Sequence, residues 1–153
     1  MLSKNLLIHK LKSEYSQFVF EKSNTFSWSH KNQTIYYDNN SNNFELFILH
    51  ELSHALLNHN IYIYDIELIS MEQKAWNKVS DIAQKFNIKI DDNIVQDTLD
   101  TYRDWLHSRS TCTECQATGI QTNYQQYKCP VCKNEWKVNE ARLCALRRYK
   151  IKK

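Results

Sequence analysis

A chain of 153 residues with 42 % hydrophobic content and a net charge of +3 carries enough apolar surface to close a core, which excludes an intrinsically disordered protein. The early apolar run Leu6-Leu7-Ile8 is far short of a signal-peptide core, and no later segment is long and apolar enough to span a bilayer. The cytoplasm is therefore the expected compartment, and no membrane partner is expected.

The one glycine and the one proline, Gly119 and Pro130, both fall among the cysteines of the last third. Earlier loops must be built from Asn, Asp and Ser, as in NQTIYYDNNSNN, where short polar side chains bond nearby backbone and tolerate left-handed conformations. Charge divides in the same region. From Ser108 onward there are ten Lys/Arg against three Asp/Glu, or +7, and the first 107 residues carry ten against fourteen, or −4. Two units with different surfaces are expected, residues 1–107 and 108–153.

In chain order, Leu7, Leu11, Tyr15 and Phe18 recur at roughly helical spacing, which predicts a helix over 2–21. Thr25–Trp28 and Thr34–Tyr37 are short, aromatic and β-branched and read as strands joined by a turn at HKNQ. DNNSNN then supplies an N-cap for a helix from about Asn43 to Asn58.

That helix contains HELSHALLNH, three histidines and a glutamate in ten otherwise mostly apolar residues. On a helical wheel His54 falls about 40° from His50 and Glu51 about 100°, while Ile48, Leu52, Ala55 and Leu56 occupy the opposite side. One face is core and the other is chemistry. Side chains four apart stack one turn above another, so His50 and His54 can aim nitrogens at one ion, with Glu51 turned aside to reach a water bound there. This is the HExxH arrangement of two metal ligands and a carboxylate general base. Two ordinary helix histidines beside a solvated glutamate would spell the same five residues. What separates the readings is a third ligand. His59 lies far round the wheel, and no glycine follows His54 to turn the chain back, so His59 reads as a core-edge or helix-end residue.

The segment DIELISMEQKAWNKVSDIAQKF offers a better candidate. Leu68, Ala75, Trp76, Val79, Ala83 and Phe86 all fall within about 60° of Glu72, whereas Glu67 lies with the lysines on the solvated side. A carboxylate in the middle of an apolar stripe would cost several kcal/mol unpaired, or stay protonated, and a zinc ion removes that penalty. The alternative is a lysine partner or a place at the stripe's edge.

HELSHALLNH, the strand-like TIYYD before it and MEQKAW after it resemble the ImmA/IrrE group of zincin metallopeptidases over about residues 30–86. The resemblance implies that His50, His54 and Glu72 are ligands of a catalytic zinc and that Glu51 is the base. It also implies an α+β fold whose first part is zincin-like, with a small antiparallel sheet packed on an active-site helix and further helices. Trp76 departs from the family, which often has an acidic or polar residue there. Thr34–Tyr37, if it is the edge strand beside the active-site helix, would hold an extended peptide by strand addition.

DDNIVQDTLDTYRDWLHSRS reads as a further helix closing the first unit, with Val95, Leu99, Tyr102 and Leu106 inward. CTEC, thirteen residues, then CPVC is the most specific signal in the chain. Each Cys-x-x-Cys forms a knuckle, and two knuckles make a closed four-sulfur site, so Cys112, Cys115, Cys129 and Cys132 are expected to hold a structural zinc in a zinc ribbon. Disulfides are disfavoured by the absence of a secretory signal. NEARLCALRRYKIKK reads as a final helix capped by Asn139, burying Leu143, Cys144 and Leu146 and ending in cations.

The expected function is a cytoplasmic zinc metallo-endopeptidase with two zinc ions, one catalytic and one structural, acting on a protein or peptide substrate. The basic second unit makes nucleic acid a candidate partner, with Tyr124, Tyr127 and Trp136 as stacking surfaces. An HExxH domain followed by a zinc ribbon also resembles SprT-like proteases, which act on DNA-bound proteins but use a third histidine where Glu72 is expected here. The competing expectation is a non-catalytic zinc-binding module for nucleic acid or protein.

Overall fold

The computed structural model describes residues 2–152 as an α+β protein with four helices and two small sheets. Contacts divide it into two compact units, residues up to Ile61 with Met71–Asp92, and Tyr62–Ser70 with Asn93 onward. No described helix is long and apolar enough to cross a membrane.

In the first unit, α1 (Lys4–Glu14) starts where the Ser3 hydroxyl accepts the Leu6 N–H, and it buries Leu7, Ile8 and Leu11. The helix expected over 2–21 stops there, because QFVFEK becomes strand β1 (Val19–Lys22). Aromatic and β-branched residues lose rotamer freedom in a helix, and here Phe20 finds a partner in Ile35 instead. β2 (Ser27–Ser29) and β3 (Thr34–Tyr37) form the expected hairpin. The strand order is β1-β3-β2, with β1 parallel and β2 antiparallel to β3. The sheet is thus mixed rather than antiparallel. β3, expected at the edge, is central, since the unforeseen β1 covers its other side.

α2 (Phe44–Leu56) packs on β2 and β3 and carries the HExxH segment. Ile48, Leu49 and Leu52 are fully buried, each contributing about 1.5–3 kcal/mol as an upper estimate. Past Leu57 the chain leaves the helix at Asn58, whose φ of 56° is left-handed. α3 (Asp65–Lys85) adds Ala75, Trp76, Val79 and Ala83 to the same core, so the stripe around Glu72 is the buried face.

α4 (Asp92–Ser110) belongs almost entirely with the second unit, not the first. Of its expected inner residues only Leu99 is buried, while Val95, Tyr102 and Leu106 are half-buried. Trp105 and Arg109 are buried instead. The second sheet is a consecutive antiparallel meander of β4 (Ile120–Asn123), β5 (Gln126–Lys128), β6 (Glu135–Val138) and β7 (Arg148–Lys150). Its inner face packs Tyr127, Trp136 and Val138 with Cys112, Cys129, Ala117 and Leu146. Tyr127 and Trp136 stack with ring centroids 5.7 Å apart. Neither is available to a base, contrary to the sequence reading.

The expected final helix is absent. Asn139 does not cap a helix. Its Oδ1 accepts the Arg147 N–H and its Nδ2 donates to the Ala145 carbonyl, which folds the chain back so that β7 pairs with β6. Leu143 is left 96 % exposed and Cys144 is exposed rather than buried. Ladder pairing has overridden the helix propensity of EARLCALRR.

Candidate metal centres

The first centre is assembled by α2 and α3. His50 and His54 sit one turn apart, and Glu72 of α3 reaches both, with Oε2 2.9 Å from His50 Nε2 and Oε1 3.1 Å from His54 Nε2. The two Nε2 atoms are 3.1 Å apart. Metal bonds of ~2.0–2.1 Å in a tetrahedral shell place neighbouring ligand atoms about 3.3 Å apart, so the two imidazoles and the Glu72 carboxylate are close enough together to hold one metal ion. All three residues are buried, Glu72 with 4 % exposure. Burial pushes the Glu72 carboxyl up, but its hydrogen bonds with His50 and His54 and their charge outweigh that and hold it at about 2. At His54 burial pulls the imidazole down, and the Glu72 bond with the charges of Glu72 and Glu51 raises it above its ordinary value. The buried pocket selects for positive charge.

Glu51 stands outside this group, half-buried on the next face of α2. Burial raises its carboxyl above the usual carboxylate value, the charges of His50 and His54 pull it down, and that of Glu72 pushes it up again. Trp76 stacks on His50 at 4.2 Å with the rings 23° apart. His50 Nδ1 and Trp76 Nε1 are both buried without a hydrogen-bond partner.

His59 has a role the wheel did not show. Its Nδ1 is 2.7 Å from His54 Nδ1, and its carbonyl accepts from Trp28 Nε1 at 2.9 Å. Burial and the charge of His54 push the His59 imidazole down to about 4, so it is neutral at physiological pH. If His54 turns its Nε2 lone pair to an ion, its Nδ1 carries a proton, and neutral His59 accepts that hydrogen bond. The wheel misplaced His59 because the helix has already ended. Asn58 supplies the left-handed turn in place of a glycine, and asparagine is one of the few residues that tolerates it.

The second centre is formed by two matching knuckles. Gln116 N–H closes on the Cys112 carbonyl at 3.0 Å and Lys133 N–H on the Cys129 carbonyl at 3.1 Å, with Gln116 and Lys133 both at left-handed φ. Across the knuckles Cys112 Sγ is 3.6 Å from Cys132 Sγ, and Cys115 Sγ is 3.4 Å from Cys129 Sγ. These are not disulfides. Bonds of ~2.3 Å to one tetrahedral ion would separate sulfurs by about 3.8 Å, close to what is seen. Glu114 N–H and Asn134 Nδ2 point at Cys112 Sγ, and Cys132 N–H points at Cys129 Sγ. Burial pushes Cys112 up, yet the backbone N–H groups of Cys115 and Glu114, the Asn134 amide and the Cys132 thiol bring it down to about 6. Cys132 behaves oppositely. The Asn134 backbone N–H favours its thiolate, but burial and the other three sulfurs drive it up to about 12. Four sulfurs this close cannot all ionise without a cation among them.

Sequence reasoning also missed what braces the second unit. Arg109, 2 % exposed, grips the fully buried Asp65 through Nε at 2.7 Å and a second guanidinium nitrogen at 3.2 Å. Tyr127 donates to the same carboxylate at 2.5 Å, and the guanidinium also reaches the carbonyls of Asn139 and Glu140. Trp136 Nε1 donates to the Arg109 carbonyl at 2.9 Å. Nothing in the spacing marks Asp65, which is an ordinary first-turn acid on paper.

No family model, curated protein or solved structure matches this chain, so the site's geometry and chemistry carry the functional argument.

Proposed function

We propose that the first unit is a zincin-like metallo-endopeptidase of the ImmA/IrrE kind, and that the second is a zinc ribbon. The observation that carries this reading is Glu72, buried on the apolar side of α3 and close to both His50 and His54, while Glu51 lies on the next face of α2, outside that group. Two nitrogens and one carboxylate oxygen with a fourth position open are the donor set of a hydrolytic zinc site, and four thiolates are that of a structural one. A site kept only for structure has no use for Glu51.

Held by His50, His54 and Glu72, a divalent ion would supply Lewis acidity, lowering the pKa of a bound water and polarising a carbonyl oxygen. Glu51 takes a proton from the attacking water on its carboxylate and returns it to the leaving amine, and its raised pKa suits a group that must do both. His50 and His54 orient through Trp76 and His59. The free edge beside α2 is β2, not Thr34–Tyr37, and it is the strand available to align an extended peptide by backbone pairing.

Metal analysis tests the assignment. Two zinc ions per chain are expected in the intact protein and in Glu51→Gln, and one in His54→Ala or Glu72→Gln. Retention of both metals by those last two variants removes the peptidase site. Glu51→Gln should then hold a substrate that the intact protein cuts. Capture of the same uncut partners by both proteins instead establishes a binding module.

A further inference from the structure

The second sheet has one face in the core and one face open, and the strand register shows which residues share the open one. Directly paired residues of antiparallel strands point the same way. Trp136 pairs with Tyr127 and Val138 is buried beside it, so the inner face is settled. The other row runs Gln126, Lys137, Tyr149 across β5, β6 and β7, and next to it Ile120, Lys128, Glu135 across β4, β5 and β6. Tyr149 is 52 % exposed, Lys137 lies directly across from it, and the exposed Arg147 comes two residues before it. Only one acid, Glu135, belongs to this face, opposite Lys128.

We propose that this open face binds single-stranded nucleic acid, with Tyr149 as the stacking platform and Lys137, Arg147 and Lys128 as phosphate contacts. Charge selects a polyanion. Residues from Ser108 onward carry +7, which remains about +5 after a divalent ion in four thiolates subtracts two. The exposed ring selects unpaired bases, because a duplex keeps its base faces stacked on one another whereas a single strand can lay one on an aromatic side chain. The sequence nominated Tyr124, Tyr127 and Trp136 for stacking, and the fold withdraws the last two into the core and leaves Tyr124 on the β4–β5 turn, off the open face. Tyr149, which the sequence placed on a helix, takes their place because β7 joins the sheet. The proposal does not depend on the peptidase site.

The test is fluorescence anisotropy of a labelled oligothymidylate of about 12 nucleotides titrated with the zinc-loaded full chain at several salt concentrations. Binding should weaken with salt. Tyr149→Ala should weaken it at least about fivefold, the lower bound for losing one stacked base, while Tyr149→Phe keeps it. Lys137→Gln should lower the magnitude of the salt slope by about 0.7. Tyr124→Ala is the control, since Tyr124 is equally exposed, at 54 %, but sits on the β4–β5 turn outside the two rows. The proposal is overturned if no salt-dependent binding occurs, if Tyr124→Ala costs as much as Tyr149→Ala, or if duplex binds more tightly than single strand. Displacement of the strand by polyglutamate, with Tyr149→Ala indistinguishable from the intact protein, would assign the face to an acidic peptide instead.

Discussion

The Nδ1 atoms of His54 and His59 lie 2.7 Å apart, so the residue that ends the HExxH segment steers the second histidine of the motif from behind. Partners of this kind fix the tautomer and ring orientation of a metal ligand. His59→Ala should therefore weaken metal binding at the first centre by about 10- to 100-fold, while the four-cysteine centre keeps its ion. Competition with a chelator of graded strength, read as zinc per chain, checks this. His59→Asn, which retains an acceptor, should recover part of the loss.

The metal-free first centre should show a pH optimum of stability. Glu72 has a depressed folded pKa, so its contribution is present above the ordinary 4.5 and is lost as pH falls toward about 2. His54 has a raised folded pKa, so its contribution is present below the ordinary 6.5 and is lost as pH rises through the higher folded value. The two overlap between pH 4.5 and 6.5, and His59, lowered to about 4, loses its contribution as pH falls below 6.5, which puts the optimum at the upper end of that window. Thermal unfolding of chelator-treated protein across this range should peak there. Metal should reverse the alkaline side, because ligation needs a neutral His54 and tightens as pH rises.

Asp65→Asn removes the charge opposite Arg109 while keeping the shape. It leaves a guanidinium buried without its counter-ion, and breaking such a pair costs about 3–5 kcal/mol. A urea titration followed by tryptophan fluorescence should show this loss, since Trp105 and Trp136 both lie in the braced region. An unchanged midpoint would mean that Tyr127 and the backbone carbonyls hold the region without Asp65.

Gly119 has an ordinary backbone conformation, so space rather than φ requires glycine there. An added Cβ would lie 2.4 Å from a ring carbon of the fully buried Trp136 and 3.0 Å from the Ser110 carbonyl oxygen. Gly119→Ala should destabilise the second unit by about 1–3 kcal/mol through overpacking, measurable as a shift in the same urea transition.

What the sequence determined by itself was the chemistry whose spacing is local. His50 and His54 are four apart, each cysteine pair is three apart, and Glu72 shows its apolar surroundings within a single helix, so periodicity alone exposed them. Tertiary structure decided whatever depended on which strand found a partner. Val19–Lys22 and Arg148–Lys150 left predicted helices to pair with β3 and β6, which made β3 central, buried Tyr127 and Trp136, and turned Tyr149 outward. Asp65 with Arg109, and His59 with His54, are contacts made by a fold or a turn, and no window of sequence displays them. A hydrogen-bonded ladder joins residues far apart in the chain and can outweigh local helix propensity, so it stays invisible until the partner strand is in place.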